Sequence, residues 1–126
     1  MKTSRFLLVA GLAILAGCST PDMLRTKPPS IEISSSNKAK AVAGCIVLDT
    51  EEIFREPLAR NAKIHTRPIS GGYSIWLVQG VAFGESTAMV IDVSDTQSGS
   101  TTSFHNDLTS AYLERTNKVI RNCQGT

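Results

Sequence analysis

Tyr73-Ser74-Ile75-Trp76-Leu77-Val78-Gln79 is the stretch on which the fold turns. β-branched and aromatic residues dominate it, Ser70-Gly71-Gly72 supplies a turn before it and Gly80 follows it, so it predicts a strand. Its apolar run 75–78 suggests burial on both faces. Upstream, residues 62–69, with Ile64, Thr66 and Ile69, predict a strand in which Pro68, having no N–H for a ladder, demands an edge or end position. Downstream, Val81-Ala82-Phe83 between Gly80 and Gly84 reads as a connection, 86–93 as a third strand, 95–100 as a turn rich in Ser, Asp and Gly, and 101–104 as a short fourth strand. Connections this short suit an antiparallel meander.

Helices flank the strands. Ala39, Val42, Ala43, Ile46 and Thr50 recur at helical spacing after Asn37 and predict a first helix over about 36–53. Phe54-Arg55-Glu56-Pro57 ends it, because the residue before a proline is pushed out of the α region. Gly44 weakens this helix by about 1 kcal/mol relative to alanine, and close packing against another element is the expected reason for it. Leu108, Ala111, Tyr112, Val119, Ile120 and Cys123 mark a final helix, capped by Asn106 or Asp107 and stopped by Gly125. The expected fold class is α+β, a four-stranded antiparallel sheet with N- and C-terminal helices in the order αββββα.

The N-terminus carries an address. Lys2 and Arg5 precede an apolar stretch that runs to Leu15-Ala16-Gly17-Cys18, and this pattern resembles the lipobox of bacterial lipoproteins. The resemblance implies a signal peptide over 1–17, cleavage before Cys18 and lipidation (diacylglycerol, palmitate) of that cysteine. An apolar run of about 12 residues is too short to span a hydrocarbon core, which needs about 20. In enterobacterial lipoproteins an aspartate after the lipidated cysteine favours inner-membrane retention; by that sorting rule Ser19 implies the outer membrane, with the domain expected on the periplasmic face. Residues 18–37, with three prolines, many hydroxyls and no sustained apolar period, are expected to form a lipidated flexible tether. Residues 38–126 are expected to form the globular periplasmic domain.

Loss of residues 1–17 removes Lys2 and Arg5 from the 13 Lys+Arg, leaving 11 against 11 Asp+Glu. A formally neutral chain without a basic run has no electrostatic footprint for nucleic acid, so no such partner is expected. The remaining 109 residues allow one domain and exclude a two-domain enzyme. With Cys18 lipidated, Cys45 and Cys123 remain as an even pair in an oxidising compartment, each beside an apolar helical stripe, and a disulfide between them is expected. No CxxC spacing favours a redox or metal pair, and no metal site or cofactor is expected.

Further motifs resemble a group of small proteobacterial lipoproteins, some encoded in prophages: Ala43-Gly44-Cys45-Ile46, Gly72-Tyr73, Ala88-Met89-Val90-Ile91-Asp92-Val93, Gly99-Ser100 and Asn122-Cys123-Gln124. The likeness covers about 80 residues and implies a helix-to-helix disulfide, an antiparallel sheet and no reaction. Members carry Trp-Glu shortly after the first cysteine, where this chain has Ile53-Phe54.

Catalytic chemistry finds little support. Ser98-Gly99-Ser100 lies between two expected strands, so turn chemistry and not a nucleophile elbow explains its glycine. His65 and His105 stand singly, and the glycines have neither a GxGxxG nor a P-loop frame. Glu51-Glu52 with Glu56 lacks the alternating oxygen donors of a calcium loop. No catalytic residue is expected. Trp76, Tyr73 and Phe83 are the candidate partner contacts, aromatics being typical interface anchors, although a single tryptophan inside Ile-Trp-Leu-Val reads first as a core residue. The sequence therefore predicts a non-enzymatic outer-membrane lipoprotein that meets an envelope or phage-related protein. The alternative is an inhibitor of a cell-wall hydrolase that uses the 70–73 loop or the 80–84 loop. A small hydrolase is a more distant third.

Overall fold

In the computed structural model, which describes residues 19–55, 61–82 and 84–126, the chain runs α1 Pro21–Arg25, β1 Ile31–Ser35, α2 Ala39–Ile53, β2 Ala62–Ile69, β3 Gly72–Val81, β4 Gly84–Asp95, β5 Ser100–Asn106 and α3 Ser110–Gln124. The five strands form one antiparallel sheet in the order β1-β5-β4-β3-β2. The α+β class and the antiparallel meander β2 to β5 are as expected. The strand count is not: the described residues form five strands instead of four.

The additional strand lies within the expected tether, which is corrected accordingly. Ile31 and Ile33 alternate with Glu32 and Ser34, and the strand pairs with β5 at Ile31↔Phe104 and Ile33↔Thr102. Five residues of alternation are too few to stand out among prolines and serines. What selects them is β5, whose free edge would otherwise leave a row of ladder groups unpaired. Ahead of β1, Thr20 Oγ1 accepts the Met23 N–H at 3.3 Å and Pro21 occupies the first turn, so the short α1 is capped where prolines are tolerated. Leu24 is 1% exposed, so this segment is part of the packed domain.

The core lies between the sheet and the pair α2/α3. Ile75 and Leu77 of β3, Met89, Ile91 and Val93 of β4 and Phe104 of β5 are buried together with Val42, Ile46 and Ile120 from the helices. The helices run antiparallel: Phe54, just past α2, stacks on Tyr112 near the start of α3 with ring centroids 5.2 Å apart. The expected Cys45–Cys123 disulfide joins the two helices across a sequence separation of 78. Buried Gln124 ties the end of α3 to the sheet, its Nε2 donating to Thr102 Oγ1 at 2.6 Å and its Oε1 accepting from Ser35.

Several helix-end expectations are corrected. α2 starts at Ala39 because Asn37 is engaged elsewhere, its Nδ2 donating to Cys123 O at 3.5 Å and its carbonyl accepting from Ser100 Oγ at 2.7 Å. α3 starts at Ser110 behind Thr109; Asn106 belongs to β5, and its Oδ1 accepts the Leu108 N–H at 3.0 Å in a turn. Gly125 terminates α3 with φ 76°, as expected of a left-handed cap. The close-packing reason for Gly44 fails, since a Cβ there would meet nothing within 4 Å.

Gly72 is a glycine on which the sheet depends. A Cβ there would fall 1.9 Å from Val93 O, inside the β3–β4 ladder. Gly72→Ala is therefore expected to push the strands apart and lower stability by about 1–3 kcal/mol, the usual range for overpacking. A urea titration measures it, with Gly44→Ala as the tolerated control.

Candidate functional site

Antiparallel register arranges the sheet face opposite α2 and α3 into cross-strand rows. Glu32, Ser103, Asp92, Ser74 and Arg67 form one row and His105, Val90, Trp76 and His65 the next. Alternation along each strand brings these residues to this face, because their neighbours in sequence supply the core.

The N-terminal segment roofs half of this face. Arg25 of α1 donates through Nε to Asp92 Oδ2 at 2.8 Å and through Nη2 to Asp92 Oδ1 at 2.9 Å, a two-pronged charge-assisted pair. The same Nη2 reaches Ser74 Oγ at 2.8 Å, and Nη1 reaches Asp22 Oδ1 at 2.8 Å. The Asp92 carboxylate holds the Arg25 pKa above its ordinary value, against the opposing pull of partial burial, so Arg25 is a permanent cation already neutralised within the fold. Leu24 and Val90 are both buried, and His105 Nδ1–H donates to Lys27 O at 2.8 Å.

Beyond α1 the roof stops, and β2–β3 present a half-covered aromatic and cationic patch. Trp76 is half-buried; the His65 ring stacks on it at 5.4 Å with an 18° tilt, and the Arg67 guanidinium lies 5.9 Å from its ring centroid. Among the described residues no carboxylate pairs with Arg67. A cleft of about 170 Å³ separates this patch from α1, lined by Pro21, Asp22, Arg25, Arg67, Ser74 and Trp76. Such an arrangement offers an aromatic face for stacking and an uncommitted fork of donors for a carboxylate or carbonyl.

The candidate contacts do not form one surface. Tyr73 lies on the opposite face, beside an open apolar groove with Lys40, Ala43, Gly44, Val47 and Leu48 of α2. The separation of three residues between Tyr73 and Trp76 already placed them on opposite faces of any strand. Phe83 and the lipidation candidate Cys18 lie outside the described residues. Arg67 was legible as a strand neighbour of His65; Arg25 carried no signal, being in the expected tether.

The histidines are engaged structurally, His105 with Lys27 O and His65 with Trp76. Cys45, Asp49 and Cys123 lie together with ligand-type atoms within 4.8 Å, but both sulfurs are joined to each other. No helix among the described residues is long and apolar enough to cross a membrane. Comparison with protein-family models, curated proteins and solved structures finds no match to this chain.

Proposed function

We propose that this chain is a non-enzymatic lipoprotein, anchored through Cys18 in the outer membrane on its periplasmic side, whose domain is a contact module for an envelope or phage-related protein. The observation that carries this reading is the Trp76 patch: a tryptophan and an arginine without a carboxylate partner among the described residues, both types enriched at binding hot spots, side by side on an open sheet face. Arg67 would supply the bidentate donors and Trp76 the buried area, so the complementary partner surface carries an acidic or carbonyl-rich group next to an apolar one. The lipobox-like stretch supports the anchorage, and the engagement of both histidines in the fold supports a binding role over a hydrolytic one.

Photo-crosslinking in intact envelopes tests the proposal. Trp76→Ala and Arg67→Ala are expected to abolish a crosslinked adduct that Tyr73→Phe retains, with melting temperatures close to the parent because both side chains are incompletely buried. Loss of the adduct in none of these variants overturns the assigned contact. A purified domain that turns over an ester, peptide or glycan substrate, and loses that turnover in His65→Ala or His105→Ala, overturns the non-enzymatic reading.

A further inference from the structure

We infer that the domain has no spacer between itself and the membrane, and that the tip of the β3–β4 hairpin, at Val81 and Ala82, is a bilayer-contacting surface. The inference rests on the proposed lipidation of Cys18. The observation behind it is the position of Ser19. Its backbone is bonded into the sheet from both sides: Thr87 N–H donates to Ser19 O at 2.8 Å, and Ser19 N–H donates to Ser86 Oγ at 3.1 Å. From there the chain enters α1 directly and is clamped again by Arg25 on Asp92.

Cys18 is one peptide unit from this docked residue, about 3.8 Å between Cα atoms in any trans conformation. A lipid on Cys18 therefore holds the bilayer surface at β4 itself. Thr87 stands three residues from Gly84, where β4 begins, a rise of about 10 Å. The polar headgroup layer on one side of a bilayer is itself about 5–8 Å deep. The hairpin tip has no room to stay clear of it. Gly84 pairs with Val81, which is 43% exposed, an apolar residue left open at the end of the molecule nearest the anchor. Exposed apolar side chains held at this height settle at the headgroup and acyl boundary when an attached lipid supplies the main binding energy.

The opposite end of the sheet carries the turns around Gly71 and 96–99. From Thr87 to Asp95 is about 26 Å along β4, so these turns project away from the bilayer. Trp76 lies on the flank between the two ends, at a height where a partner must itself sit close to the membrane.

The test uses full-length lipidated protein in vesicles of phosphatidylethanolamine and phosphatidylglycerol, with the lipid on Cys18 verified by intact mass. An environment-sensitive fluorophore is attached at Val81→Cys or, as the far-end control, at exposed Gln97→Cys, with the Cys45–Cys123 disulfide kept intact. Brominated lipid is expected to quench the Val81 probe severalfold more than the Gln97 probe, and six flexible residues inserted between Cys18 and Ser19 should reduce that difference. Equal quenching at both positions on protein that carries the lipid overturns the membrane contact while leaving anchorage intact. Absence of lipid on Cys18 removes both.

Discussion

A fragment consisting of residues 38–126 is expected to lose its cooperative fold, whereas 19–126 keeps it. The fragment lacks β1, so β5 becomes a bare edge of Ser, Thr and Phe residues, and Phe104 loses Ile31, its directly paired neighbour. It also lacks Leu24, which is buried in α1, the helix that packs on β4 and β5. Burial of Leu24 and Ile31 alone stabilises by roughly 1.5–3 kcal/mol each, before the exposure of the surfaces they cover is counted. Removal of Arg25 frees Asp92 and Ser74 to water, so the polar groups recover part of their hydration and the apolar losses dominate. The combined loss of several kcal/mol is comparable to the whole stability of a small domain, about 5–15 kcal/mol.

Thermal unfolding by circular dichroism and gel filtration of the two fragments measure the difference. A 38–126 fragment that melts cooperatively within about 5 °C of 19–126, where 1 kcal/mol corresponds to about 4–8 °C, shows the N-terminal segment to be dispensable. Leu24→Ala in the longer fragment isolates the packing contribution and is expected to cost about 2–5 kcal/mol.

Removal of the disulfide has the second largest expected effect. Cys45 and Cys123 are 78 residues apart, and closing a loop of that length restricts the unfolded chain by about 4 kcal/mol in the entropy model. Cys45→Ala combined with Cys123→Ala, which leaves no lone thiol, should lower the melting temperature by about 15–30 °C. The helices still pack through Ile46, Ile120 and the Phe54–Tyr112 stack, so the variant is expected to remain folded in the cold. An unchanged melting temperature, or an intact mass of the non-reduced domain showing two free thiols, contradicts the pairing described.

The central strand, the two long helices and the half-cystine pair were legible because their signals are local: β-branched and aromatic density around Trp76, helical spacing on either flank, and two cysteines on apolar stripes. The β1 strand and α1 were not legible in this way. Their residues have weak intrinsic preference, and they are ordered by what they meet: Ile31 by the edge of β5, Arg25 by Asp92 and Ser74, Asn37 by the ends of α3 and β5.

The candidate site divides along the same line. Parity along β3 already separates Tyr73 from Trp76, since side chains alternate with a period of two whatever the partners are. Which of the two faces stays open, and that His65 and Arg67 join Trp76 there, follows from the β2–β3 register and from how far α1 extends across the sheet. The sequence by itself determined the elements with strong periodicity and the residues able to staple them. Tertiary structure decided the fate of residues 19–37 and how far α1 covers the patch, because ladder pairing and burial join that segment to positions about 50 to 90 residues away that no local pattern connects.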